Sequence, residues 1–333
     1  MTTPSMLDIP PAGRRAGFAP GFGRRVLLTV DTEEEFNWRG PFAREGHGLS
    51  HVAAIPRFQA FCESIGVAPV YLVDWPIVSD ARAVEILGDA VRRGTAEVGV
   101  QLHPWVNPPF AEEVTMHNSF AGNLPPELEE AKFAVLRDAI ETAFGTAPLV
   151  YRAGRYGLGP HTAELLIRHG MKVDTSVRPL FDYSPEGGPD YMRHPLAPYW
   201  VDAASRLLEL PVTSVHAGAL RVFGRGLRRP AAQIPRGLGA LTRLGLLERI
   251  ALTPEGVSIE EALRGIDLAL ASDLPVLVLS FHSPSLAPGH TPYAATEGAV
   301  DRLYAWLEAV YARLAERRVR PCTIADVLAA TGH

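Results

Sequence analysis

Only two cysteines, Cys62 and Cys322, occur in the 333 residues, and neither belongs to a CxxC pair or a nucleophile motif. A disulfide framework is therefore excluded, and both are expected to be reduced, structural thiols. The net charge is -5 and no basic stripe interrupts it, which argues against nucleic acid as a partner. No apolar run is long enough to span a bilayer, so no membrane partner is expected. Residues 1–23 carry Gly, Pro and arginines without an apolar signal-type core, and cytoplasmic residence is the expectation. No repeat or low-complexity segment stands out.

What the chain does have is an alternation of strand-like and helix-like segments. Apolar runs predict strands over 26–30, 70–73, 96–102, 149–151, 171–173, 207–212 and 275–282. Helical patterns cover 55–65, 80–93, 126–144, 162–169, 258–271 and 296–317. Pro125 and Pro126 suit a first helical turn, and Ser258-Ile259-Glu260-Glu261 is a capping-box start. Strands separated by helices favour an α/β fold with one wound or barrel-like parallel sheet. The expected organisation is an N-terminal extension over 1–23 and one domain over 24–330. Residues 218–247, rich in Arg and Gly, read as a helical insertion or lid and as an oligomer contact, so a homo-oligomer is among the expected partners.

Four of the apolar runs end in residues suited to chemistry. Val26-Leu27-Leu28-Thr29-Val30 runs into Asp31-Thr32-Glu33, and Leu149-Val150-Tyr151 runs into Arg152-Ala153-Gly154-Arg155-Tyr156. Gln101-Leu102-His103-Pro104-Trp105 and Leu279-Ser280-Phe281-His282-Ser283-Pro284 each bring a histidine to a proline-marked strand end. The carboxyl ends of parallel strands form the ligand-binding face of α/β folds, so these groups converge if the sheet is parallel. Taken singly, each has a plainer reading. Asp31-Thr32-Glu33 suits a solvated helix-capping loop, His103 a packed loop beside Trp105, and Arg152 a surface ion pair.

In the order of these motifs the chain resembles the polysaccharide deacetylases (NodB-homology domains, carbohydrate esterase family 4) over roughly Arg25 to Leu328. The resemblance implies a single distorted (β/α)7 TIM-like barrel and a hydrolase that cleaves a C–N amide bond, most simply by N-deacetylation of an amino sugar or saccharide precursor. It implies that Asp31 is the general base, Arg152 its orienting partner and His282 the general acid. Glu33 and His103 would hold a divalent metal, zinc first among them. The chain departs from the pattern at one point: where the family supplies two histidines four apart, it has Gln101 and Trp105. Neither is a good zinc ligand. Three outcomes follow: a third ligand from elsewhere, a metal-free site like that of the superfamily members that hydrolyse small amides such as allantoin, or a sugar-binding protein without turnover. Gln101, Trp105, Asn107, Arg155, Tyr156, Trp38 and Trp75 are the candidate substrate contacts, the tryptophans because sugar rings stack on aromatic faces, although core packing is the commoner fate of Trp.

Overall fold

The structure, a computed structural model, describes residues 5–332. Its strands are β1 (Arg25–Thr32), β2 (Val70–Val73), β3 (Glu97–Leu102), β4 (Val150–Ala153), β5 (Val173–Asp174), β6 (Tyr199–Trp200), β7 (Leu208–Glu209), β8 (Ser214–Ala217), β9 (Glu248–Ala251), β10 (Val276–His282) and β11 (Arg320–Pro321). Its helices are α1 (Ile55–Ser64), α2 (Trp75–Ser79), α3 (Ala81–Arg92), α4 (Pro126–Phe144), α5 (Thr162–Arg168), α6 (Gly224–Gln233), α7 (Gly237–Arg243), α8 (Ile259–Ala271), α9 (Glu297–Glu316) and α10 (Ile324–Thr331).

The main sheet runs β10-β1-β2-β3-β4-β5-β7, all parallel, with β6 antiparallel at the far edge. Seven parallel strands with helices outside them form the distorted (β/α)7 barrel. The curl does not close strand to strand between β7 and β10. Thr213 bridges the gap: its N–H donates to Val278 O at 3.0 Å and its hydroxyl accepts from Val278 N at 2.8 Å.

Strand parity produces two cores. Val26, Leu28, Val30, Tyr71, Val98, Val100 and Tyr151 point outward into the layer beneath the helices. Leu27, Val70, Leu72, Val150, Val173, Leu208, Val276 and Val278 fill the barrel interior. Because side chains alternate along a strand, the inward positions beyond these are Asp31, Asp74, Arg152, Thr175 and Ser280. Gly99 lies on this inner face, where a Cβ would stand 2.5 Å from Val150 Cγ1 and 2.7 Å from Leu72 Cδ2. The base of the barrel is plugged by Phe22, Cys322, Ile324, Val327 and Leu328. The expected extension is thus packed onto the domain: Ala16 and Phe22 are buried, and Met6 enters the outer core. Both cysteines are free and buried, as expected.

Several expected elements are displaced. The strand expected over 207–212 is a ladder only at Leu208–Glu209, because Pro211 has no N–H to donate. The strands expected at 149–151 and 171–173 run instead over Val150–Ala153 and Val173–Asp174. The expected insertion is helical, but α6 and α7 sit on an antiparallel hairpin of β8 and β9 that the sequence reading did not anticipate. Its surface exposes Val222, Phe223, Ile234 and Leu244. Among the described residues, no helix is long and apolar enough to cross a membrane.

Candidate active site at the barrel mouth

Asp31, at the end of β1, and His282, at the end of β10, are register partners in adjacent parallel strands. Their side chains therefore share the inner face, and His282 Nε2 lies 3.8 Å from Asp31 Oδ2. Arg152 pairs with the other Asp31 oxygen, Oδ1. This guanidinium is fully buried and donates further to Ser280 Oγ (2.7 Å), Thr29 Oγ1 (2.9 Å), Thr175 O (3.0 Å) and Thr175 Oγ1 (3.1 Å). So many partners hold the fork rigid, and Asp31 keeps one oxygen facing the mouth.

His282 is oriented by Glu255, a residue the sequence reading missed. The Glu255 carboxylate lies 2.6 Å from His282 Nδ1 and also accepts from the His282 backbone N–H and from Ser285 Oγ. With Nδ1–H donating to Glu255, Nε2 faces Asp31. Burial disfavours the imidazolium, but Glu255 and then Asp31 outweigh it and raise the His282 pKa above its ordinary value. A histidine whose charged form is favoured in this way, and which is aimed at the mouth, is suited to general acid chemistry. Glu255 lies in an irregular stretch just before α8, where no strand-end signal marked it.

A second set of acids lies beside the first. Glu33 is buried, and its Oε2 stands 3.5 Å from His103 Nε2 and accepts from Gln101 Nε2 at 3.1 Å. Glu33 Oε1 and Gln101 Oε1 are buried without a partner among the described residues. Burial first, then Asp31, Glu34, Asp74 and Glu255, drives the Glu33 pKa well above the carboxylate range. Glu34, also missed, accepts from Trp105 Nε1 at 2.7 Å and lies 2.9 Å from His103 Nδ1. Asp74 caps α2 through Ile77 N at 2.9 Å, receives the Glu34 N–H at the same distance, and has its pKa raised strongly by burial and by Glu34. Burial lowers the His103 pKa to about 4 despite Asp74 and Asp31, so the ring is neutral. Its Nδ1–H donates to Glu34, and its Nε2 accepts from Gln101 Nε2 at 3.3 Å, with Glu33 Oε2 3.5 Å away. Gly154 makes room for this ring, since a Cβ there would meet His103 Cδ2 at 2.4 Å.

The backbone of Glu33 is anchored in turn. Its N–H donates to Ser283 Oγ at 3.3 Å, Ser283 lies 2.8 Å from His51 Nε2, and His51 Nδ1 lies 3.0 Å from Glu35 Oε1. This resembles a hydroxyl–imidazole–carboxylate triad, but Ser283 and His51 are fully buried and the hydroxyl is occupied by Glu33. It positions the acidic loop.

The other candidates scatter. Trp38 packs edge-on against His282 with centroids 5.0 Å apart, and Tyr156 lies 5.9 Å from the Arg152 guanidinium. Trp105, expected as a sugar platform, is buried, stacks on His103 at 4.4 Å and holds Glu34. Asn107 is fully buried, with its amide donating to Lys132 O at 2.9 Å. Arg155 lies 4.0 Å over Phe120 and pairs with Glu186. Trp75 lines a separate depression with Arg44, His47 and Phe110, which contains none of the mouth carboxylates.

The donor chemistry fits a divalent cation. Asp31, Glu33, Glu34 and Asp74 are buried, and with the largely covered Glu255 carboxylate they gather five carboxyl groups beside Arg152, an excess of negative charge that calls for protons or a metal. Ligand atoms of Asp31, Glu33 and His282 lie within 4.8 Å of one another, as do those of Glu34, Asp74 and His103. Glu33 Oε1 is the unpaired donor between the two sets, His103 Nε2 is held only by the Gln101 amide at 3.3 Å, and a carboxylate behind a ligating imidazole is the usual supporting arrangement.

No protein-family model matches the chain, and no curated protein matches it. Solved structures do. A Mycobacterium smegmatis protein assigned as a polysaccharide deacetylase is 18% identical, with a TM-score of 0.48 over 95% of this chain and 98% of that one. The 4-alpha-glucanotransferase of Thermococcus litoralis is 14% identical, with a TM-score of 0.53 over 92% of this chain and 40% of that one. A family 4 acetyl xylan esterase from Clostridium thermocellum, in complex with a cobalt ion, is 12% identical, with a TM-score of 0.44 over 93% of this chain and 92% of that one. At such identities the likeness concerns the fold.

Proposed function

We propose that the protein is a hydrolase of the polysaccharide-deacetylase type that removes an acyl group from the nitrogen of an amino sugar or saccharide precursor. The observation that carries this reading is the pairing of Asp31 and His282 across one mouth, each oriented by its own buried partner, Arg152 and Glu255. Amide hydrolysis needs water deprotonated on one side of the carbonyl and the leaving nitrogen protonated on the other. Asp31, pinned through Oδ1, takes the water proton on Oδ2. His282, with Nδ1 on Glu255, delivers a proton from Nε2 to the departing amine. Glu33 and His103 are the residues that would hold a divalent metal, whose chemistry when bound is to polarise the acyl carbonyl and acidify water.

One observation favours a second reading. Gln101 Nε2 sits 3.1 Å from Glu33 Oε2 and 3.3 Å from His103 Nε2, so its amide bridges the two candidate ligands without a metal. That arrangement suits metal-independent hydrolysis of a small amide. The deciding experiment is turnover of N-acetyl amino sugars and of small amides, each with added zinc or cobalt and with chelator. Metal-dependent release of acetate, lost in Asp31→Asn, supports the first reading. Activity indifferent to chelator supports the second. Saccharide binding with no turnover of any kind would leave a binding protein and overturn both.

A further inference from the structure

Beyond the catalytic groups, guanidinium groups gather where the β8–β9 insertion meets the barrel mouth. Arg178 Cζ lies 3.9 Å from the centroid of the Phe181 ring and Arg249 Cζ 3.3 Å from the same centroid. Arg249 is the register partner of His216 across the hairpin. Helix α6 packs against that histidine, since a Cβ on Gly224 would meet His216 Nδ1 at 2.2 Å. This brings Arg228, on α6, to the same place. Burial and then Arg228, Arg249 and Arg225 push the His216 pKa down to about 4. Burial and then Arg228 and Arg178 lower that of Arg249 to about 9.

What is missing is a counter-charge. Among the described residues no carboxylate lies within ion-pair distance of Arg178, Arg228 or Arg249, although such pairs are plentiful elsewhere in the molecule. The nearby acids make their close contacts elsewhere: Asp182 and Asp190 with Arg229, Glu248 with Arg264, and Glu255, whose charge reaches Arg178 only through space, with His282 and Ser285. The hydrogen bonds of the cluster go to neutral oxygens, Tyr183 Oη at 3.4 Å for Arg178 and Leu180 O at 2.9 Å for Arg249. Arg178 Nε and His216 Nε2 are buried without a hydrogen-bond partner among the described residues. Aromatic faces position a guanidinium but carry no net charge. Gathering like charges in half-buried positions is costly unless an anion joins them.

The cluster adjoins the chemistry. The Tyr156 ring lies 5.1 Å from the Arg178 guanidinium and 5.9 Å from that of Arg152, which holds Asp31. We propose that Arg178, Arg228 and Arg249 bind the phosphate or pyrophosphate group of the substrate, with the acylated sugar reaching from there to Asp31 and His282. Three guanidinium groups suit a multiply charged oxyanion better than a single carboxylate, and their planar forks match phosphate oxygens in pairs. The proposal rests on the hydrolase reading for the fate of the ligand but not for its capture.

Binding of inorganic pyrophosphate is therefore measured apart from turnover, by calorimetry on the full chain and on Asp31→Asn. Both are expected to bind, while Arg178→Gln, Arg228→Gln and Arg249→Gln each weaken binding by about tenfold or more. Arg229→Gln, whose guanidinium already has two acidic partners, should bind as the parent does. Ligand-induced thermal shifts supply a second readout: pyrophosphate should raise the melting temperature of the parent and not of the folded arginine variants. The idea is overturned if about 10 mM pyrophosphate produces neither heat nor a shift in the parent. Equal binding by the three variants and Arg229→Gln would overturn it too, as would displacement of pyrophosphate by a uronic acid at lower concentration. UDP and farnesyl pyrophosphate, used as further probes, distinguish a nucleoside-linked from a lipid-linked source, and tighter binding of either supports the site. Binding that persists while no acyl compound is hydrolysed would count against the hydrolase reading alone.

Discussion

Asp31 and His282 stand on neighbouring parallel strands in direct register, with Oδ2 and Nε2 3.8 Å apart and a separate buried partner behind each. The two partners make different demands on a variant. Asp31→Asn keeps the shape and removes the base, and kcat/KM for an N-acyl substrate should fall by about 10²–10⁴. Arg152→Met instead leaves Asp31 buried without its closest cationic partner, so it should also destabilise the fold by about 3–5 kcal/mol in urea titrations. Loss of activity in Arg152→Met at unchanged stability would contradict the burial argument.

Glu255 acts through His282, and its removal should show in a pH profile more than in a single rate. Glu255→Gln takes away the largest influence that raises the imidazolium pKa, so that pKa falls. The acid form is then lost at lower pH, and the alkaline limb of kcat/KM should move down. A drop in rate with the limb unmoved would assign Glu255 a purely structural role.

Glu34 tests the metal assignment without touching the candidate ligands Glu33 and His103. It lies 2.9 Å from His103 Nδ1 and accepts from Trp105. Glu34→Gln should weaken zinc or cobalt binding by about 10–100-fold, and Glu33→Ala or His103→Ala should abolish it. Plasma mass spectrometry of the dialysed proteins reads both. Undiminished metal content in all three variants would move the site elsewhere.

Glu129 supplies a stability prediction remote from the mouth. It is buried on α4, where Thr162 Oγ1 donates to it at 2.5 Å, and burial raises its pKa to about 7. The folded state therefore holds a proton that the unfolded chain releases near about 4.3. A group raised in this way contributes stability that is full below the unfolded pKa and lost as pH climbs toward the folded one. Relative to Glu129→Gln, unfolding free energy should fall between about pH 4 and 7 by up to about 1.4 kcal/mol per pH unit, then level off. Parallel curves for the two proteins in guanidinium titrations would refute it.

The linear chain by itself determined most strands of the main sheet, the long helices and the strand ends where chemistry gathers. A both-face-buried run such as 26–30 can only be an interior strand, and a polar group just past it must emerge at the sheet's end. Asp31, Arg152, His103 and His282 were legible for that reason. So was α4, because Pro125 and Pro126 suit a first helical turn. Tertiary structure alone decided which neighbours each group meets. Glu255 lies on a loop with no periodic signal, yet that loop crosses the mouth and orients His282. Trp105 looked like a sugar platform until folding turned its indole inward onto Glu34. The arginines at 178, 228 and 249 are far apart in sequence, and only the β8–β9 hairpin, laid back against the barrel, puts their charges together. Strand patterns are local because they follow a residue's own backbone, whereas desolvation and charge act through space on whatever the fold brings near.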